Sequence, residues 1–146
     1  MGTRCNVIIK FGDTKIRLYR HYDGYLTMTG QDVLDKLRQS EIRNTEERGT
    51  INIAKLVQLF LINDNEYRLE TEPSGDLEYV YEINLKSTYS HGAHYNHSAL
   101  IMVNVFTRQN WQKDKPEDWP KLSFKNFAYS GNFQKHIDEL VKKEVA

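Results

Sequence analysis

Six consecutive residues, Arg20-His21-Tyr22-Asp23-Gly24-Tyr25, bring together a fixed cation, a titratable imidazole, a carboxylate and two phenols. Arg20 can hold an anionic group in its planar fork, Asp23 can accept from a hydroxyl or an amine, and the tyrosines can stack on a flat ring. The segment falls where a strand is expected to end, a common place for binding groups. Arg20, His21, Asp23 and Tyr25 are therefore the candidate residues for a small polar or anionic ligand or for a protein partner. A plainer reading competes, in which Asp23-Gly24 is only a turn, Arg20 pairs with Asp23 and the tyrosines pack on the core. Neighbours on a strand point to opposite faces, so Arg20 and His21 share a pocket only if the strand breaks there.

His91, His94 and His97 form the second constellation. In a loop or a helical turn, histidines at i, i+3 and i+6 can approach one divalent metal, whereas on a strand they cannot. The nearest downstream acid is Asp114, and zinc usually wants a defined second shell, so an exposed polar loop is the competing reading. If the metal is held, a metal-assisted hydrolase using an activated water is the alternative function. Beyond that metal no cofactor is expected. Cys5 opens a strand with no activator close in sequence and reads as a small core residue. Gly-x-Ser-x-Gly, Gly-x-x-x-x-Gly-Lys and Gly-x-Gly-x-x-Gly do not occur, which removes the commonest hydrolase and nucleotide signatures. Lys121-Leu122-Ser123-Phe124-Lys125-Asn126-Phe127 comes nearest to a basic, aromatic nucleic-acid face, but Phe124 and Phe127 read better as core. Nucleic acid is not expected as a partner.

The elements that position these groups follow from periodicity. Cys5, Val7, Ile9 and Phe11 share one strand face, Ile16 to His21 alternates likewise, and Gly12-Asp13 between them makes a hairpin. Val33, Leu34 and Leu37 then mark a helix, with Thr29 expected as its N-cap, Asp32 near its positive end and Met28 packing on Val33 as a staple. Thr50 to Ile62 is apolar on most sides and reads as a central helix, with a strand still open for its last residues. Residues 66–70 and 77–85, flanking Pro73-Ser74-Gly75-Asp76, are expected to form a second hairpin. Ala99 to Phe106 reads as an inner strand covered on both faces. Arg108 to Pro120 reads as an ordered loop that shelters both tryptophans, and Phe133, Ile137, Leu140 and Val141 mark a last amphipathic helix.

The chain has 146 residues, the size of a single domain, and no repeat or shift in composition divides it. Nine tyrosines and an aromatic content of 12% supply the stiff apolar area that a disordered chain lacks. Lys+Arg and Asp+Glu balance at 20 each, so no long-range field gathers a polyanion or an acidic membrane around the molecule. A single cysteine excludes an internal disulfide and points to a reducing compartment. The N-terminal residues carry no secretory pattern, and no apolar run approaches the length of a membrane span. The fold class expected is α+β: a mostly antiparallel sheet built from two hairpins and an inner strand, packed against about three helices, in a cytoplasmic protein.

Arg4-Cys5-Asn6-Val7-Ile8-Ile9-Lys10 followed by Leu18-Tyr19-Arg20-His21-Tyr22-Asp23-Gly24-Tyr25 resembles a group of small uncharacterised proteins of bacteria and their phages or prophages. Their hallmark is an aromatic-flanked His-x-Asp-Gly-Tyr. Gly75-Asp76-Leu77-Glu78-Tyr79-Val80-Tyr81-Glu82-Ile83 is similar to the second hairpin of the same group. Leu26-Thr27 departs from it, standing where the group has a proline-containing turn. The resemblance implies a bacterial or phage cytosolic setting and no particular activity. A small binding or regulatory protein, without catalysis, is the function these residues favour. A homo-oligomer joined through an exposed strand edge is a third reading.

Overall fold

A computed structural model describes residues 3–41, 50–62, 66–87, 97–125 and 132–145. Seven strands form one sheet: β1 (Cys5–Phe11), β2 (Thr14–Arg20), β3 (Thr50–Asn52), β4 (Arg68–Glu70), β5 (Tyr79–Ser87), β6 (His97–Thr107) and β7 (Lys121–Lys125). The order is β3-β6-β5-β1-β2-β4, with β7 beside β3 on the same edge of β6. Every pairing is antiparallel except the central one, β1 with β5. The α-helices are α1 (Gln31–Gln39), α2 (Ile53–Leu61) and α3 (Asn132–Val145). The α+β reading is correct, and so is the first hairpin, whose two-residue turn begins at Gly12 with φ +55°.

Alternation along the strands gives the sheet two different faces. Val7 and Ile9 of β1, Leu18 of β2, Tyr81, Ile83 and Leu85 of β5, and Val103 and Val105 of β6 point to one face. There they meet Val33, Leu34 and Leu37 of α1, Leu56 and Phe60 of α2 and Ile137 of α3. On the opposite face a smaller core of Ile8, Tyr19 and Val80 is closed by Leu77 and Trp119, with Phe106 against it. Beyond it that face carries Asn6, Arg17, Glu82, Asn84 and Asn104. Fully buried Asn6 donates to Glu70 at 2.8 Å and accepts from Arg17 at 2.8 Å, which meets its hydrogen-bonding needs inside the sheet.

Four sequence expectations need correction. Residues 66–70 and 77–85 are not hairpin partners: β4 pairs with β2, and β5 lies between β1 and β6. The turn chemistry between them is real, for Asp76 takes φ +62°, but a turn fixes local direction and not the strand's neighbour. Central burial does that, because β5 is apolar enough to need cover on both faces and three-residue β4 is not. The run from Thr50 is helical only from Ile53, since Asn52 accepts from the Lys55 amide and starts α2 while Thr50–Asn52 pairs with β6. Thr29 is not the cap of α1 but lies in a π-helical turn, Leu26–Gly30, that leads into it, and Met28 stays exposed. Trp111 is 55% exposed, although Trp119, at 5%, is covered as expected. Phe133 and Val141 have side chains outside the described set, whereas Ile137 is buried and Leu140 half-buried in the core.

Candidate functional site

The site builds from one end of the sheet, where β2 finishes opposite the start of β1, with Cys5 paired to Arg20. Strand alternation turns Arg20 onto the helix-covered face. Its Nη1 donates to Thr29 Oγ1 at 3.0 Å and to the Tyr67 hydroxyl at 3.1 Å, and its guanidinium lies 5.1 Å from the centre of the Tyr67 ring. Tyr67 in turn donates to Asp32 Oδ2 at 2.6 Å, and Lys36, one helical turn on, donates to both Asp32 oxygens at 2.7 and 2.8 Å. Burial works against the charge of Arg20, but the facing Tyr67 oxygen and Asp32 carboxylate outweigh it, and its pKa is raised. Burial, reinforced by the Asp32 charge, holds the Tyr67 proton well above the usual phenol range. A cation, a phenol, a carboxylate and a second cation thus form one hydrogen-bonded cluster, with one positive charge in excess, beneath the start of α1.

Thr29 links this cluster to the turn. Its hydroxyl accepts from Arg20 and donates to the Asp23 carbonyl at 2.7 Å. The Cys5 thiol lies 3.8 Å from the same oxygen, and burial pushes its pKa up to about 12, so it is a packed core group and not a nucleophile. Gly24 is held from both sides: its amide donates to the Thr3 carbonyl at 2.8 Å, and its carbonyl accepts from the Tyr81 hydroxyl at 2.6 Å. A Cβ there would lie 2.7 Å from the Thr3 oxygen and 2.9 Å from the Cys5 Cβ, so close approach and not turn chemistry requires this glycine. Asp23 takes φ +61°, a left-handed conformation that aspartate tolerates better than most residues.

The four residues singled out in the sequence therefore do not line one recess. Arg20 faces inward, and its acidic neighbour is Asp32, 3.9 Å away, and not Asp23. His21 turns the other way, with Nδ1 2.8 Å from the Tyr19 hydroxyl and its ring edge-on to Tyr22 at 4.5 Å. Asp23 and Tyr25 do come together, the phenol donating to the carboxylate at 3.1 Å. Outward from this frame stand Tyr22, 62% exposed, Met28, 44% exposed, and Tyr25, 37% exposed. Sequence reasoning missed Asp32, Lys36 and Tyr67 as partners of Arg20, and Tyr22 and Met28 as surface groups. Nothing in the spacing from 20 to 67 announces the first set, but the tyrosine either side of Asp23-Gly24 was a visible signal for the second.

His91 and His94 lie outside the described residues. His97 opens β6 opposite Asn52, and its side chain is outside them too. Among the described residues no three histidine, cysteine or acidic side chains gather in a way that could hold a metal ion. No helix, among those described, is long and apolar enough to cross a membrane. Comparison with protein-family models, curated proteins and solved structures finds no match to this chain.

Proposed function

We propose that the protein is a binding module that docks a protein partner through residues 21–28, without catalysis. One observation carries the reading: Tyr22, Tyr25 and Met28 project from a backbone fixed by hydrogen bonds to Thr3, Tyr81, Thr29 and, through Thr29, Arg20. Large amphipathic side chains on a pre-ordered frame lose little conformational entropy when they bind, which is why tyrosine is enriched among the anchors of protein interfaces. Met28 adds an adaptable apolar contact, and His21 and Asp23 supply polar groups at the rim. In this reading Arg20 is a positioning residue. The setting we assign is the bacterial or phage-infected cytoplasm, as the resemblance of the N-terminal motif implies.

The test is affinity capture with the whole chain, followed by calorimetry of the captured protein against variants. Tyr22→Ala should weaken binding by about tenfold or more, whereas Trp111→Ala, which removes an equally exposed aromatic elsewhere, should leave it unchanged. Equal affinity for wild type and Tyr22→Ala would remove the reading. Recovery of a stoichiometric small polar or anionic molecule in place of a protein would point to a ligand instead. Stoichiometric zinc, manganese or nickel in the purified chain would favour the hydrolase reading on His91, His94 and His97.

A further inference from the structure

The sheet ends on β4, and among the described residues nothing pairs with the outer edge of that strand. Its three residues are Arg68-Leu69-Glu70. Leu69 is 62% exposed, an unusual position for a leucine on the helix-covered side of a strand. Arg68 and Glu70 lie on the other side, and both are held in place. The Arg68 guanidinium sits 5.4 Å from the centre of the Tyr19 ring, and Glu70 accepts from Asn6 and from Ser74. Where β4 leaves β2 after Glu70 lies an open recess of about 580 Å³, lined by Lys15, Ile16, Arg17, Leu69, Glu70 and Thr71.

We infer that β4 pairs antiparallel with β4 of a second copy of this chain, joining two sheets across a twofold axis at Leu69. The reason is the order of three residues. When Arg68-Leu69-Glu70 meets an antiparallel copy of itself centred on the leucine, each Arg68 faces Glu70 of the other copy and the two leucines face each other. The result is isologous: two reciprocal ion pairs on one side of the joined sheet and a leucine pair on the other. Parallel pairing sets arginine against arginine and glutamate against glutamate, and a slip of one residue sets a leucine against a charge. Edge charges usually repel unwanted strands. Here they favour a copy of the same strand in this register and direction over its parallel or slipped pairings. The recess beside Thr71 leaves room for the copy's chain as it enters its own β4 from Tyr67. This surface is separate from residues 21–28, so the two proposals stand or fall independently.

Sedimentation equilibrium of the full chain from about 1 µM to about 1 mM tests it, and the expected result is a reversible monomer–dimer equilibrium within that range. Arg68→Glu, which puts two glutamates opposite each other at both symmetric positions, should raise the dissociation constant at least about tenfold. Leu69→Lys should do the same through the other side of the sheet. Both positions are exposed, and circular dichroism melting shows whether each variant keeps the fold; if one does not, the other decides. A wild-type chain that stays monomeric throughout, or a dimer whose dissociation constant is unchanged in the folded variants, overturns the inference.

Discussion

Two segments leave the same end of the sheet, and each begins with an arginine and carries two large aromatic residues, yet they use them in opposite ways. Residues 108–120 follow β6 and fold back on themselves. Arg108 lies between the rings of Trp111, at 4.2 Å, and Trp119, at 5.6 Å, and donates to the Trp111 carbonyl and to Asp114, both within the loop. The Trp119 indole donates to the Lys113 carbonyl, and its ring closes the smaller core. Residues 20–28 follow β2 and are anchored elsewhere: Arg20 reaches Thr29, Tyr67 and Asp32, and the backbone is tied to Thr3 and Tyr81. The first loop buries one of its two rings, Trp119, on the sheet and leaves Trp111 exposed over Arg108, whereas the second, fixed by other elements, leaves both of its tyrosines turned out. What differs is the anchor: Arg108 holds its own loop together, whereas Arg20 ties the other loop to Thr29, Tyr67 and Asp32.

Substitutions should expose that difference. The largest effect is expected for Trp119→Ala, about 3–5 kcal/mol of stability by denaturant unfolding, because it opens a cavity in the smaller core. Loss of under about 1 kcal/mol would mean that the loop does not cover the sheet. Gly24→Ala should cost about 2–3 kcal/mol, since its Cβ would meet backbone that cannot move aside, and a wild-type stability would break the claim that the second segment is clamped.

Alkaline unfolding sharpens the comparison further. Cys5, beside Thr29, has its folded-state pKa raised from 9.0 to about 12 by burial, so its contribution is fully present below about pH 9 and is lost as pH rises toward 12. Tyr67 and Tyr81, both raised mainly by burial, act in the same direction above the usual phenol range. Stability measured by denaturant titration should therefore fall steadily above pH 9, and a flat profile would show that the thiol and phenols titrate freely. The smallest effect is expected for Tyr22→Ala, within about 0.5 kcal/mol, as befits a residue whose side chain serves the surface. A loss as large as that of Trp119→Ala would place Tyr22 in the core.

Much of the fold was legible because its signals are local. The alternation of β1 and β2 around Gly12, the helical spacing of Val33, Leu34 and Leu37, and the apolar positions of α3 need no knowledge of distant residues. Strand partners were not legible in the same way. The turn at Gly75-Asp76 is equally compatible with β4 beside β5 or on the far edge of β2, and only the competition for central burial decides. The start of α2 was misplaced because Ile51 and Ile53 suit a strand or a helix alike, and the choice rests on the Asn52 cap. At the site, the motif itself was visible, but its support was not. Arg20, Thr29, Asp32, Lys36 and Tyr67 come from β2, the π-helical turn, α1 and the chain before β4, and no sequence spacing records their meeting. The requirement for Gly24 is likewise tertiary, set by Cys5 at the start of β1 and by Thr3 just before it.

The central claim is that residues 21–28 form a fixed frame held by Arg20 through Thr29, and native-state amide hydrogen exchange reads it most directly. The amides of Gly24, Met28 and Thr29, bonded to the carbonyls of Thr3, Tyr25 and Tyr25, should exchange at least about a hundredfold more slowly than in an unstructured peptide. In Arg20→Ala that protection should drop while the amides of Thr107 and Trp119, at the other segment, keep theirs. Exchange of Gly24, Met28 and Thr29 at the unstructured rate in the wild type, or equal loss at both segments in the variant, would contradict it.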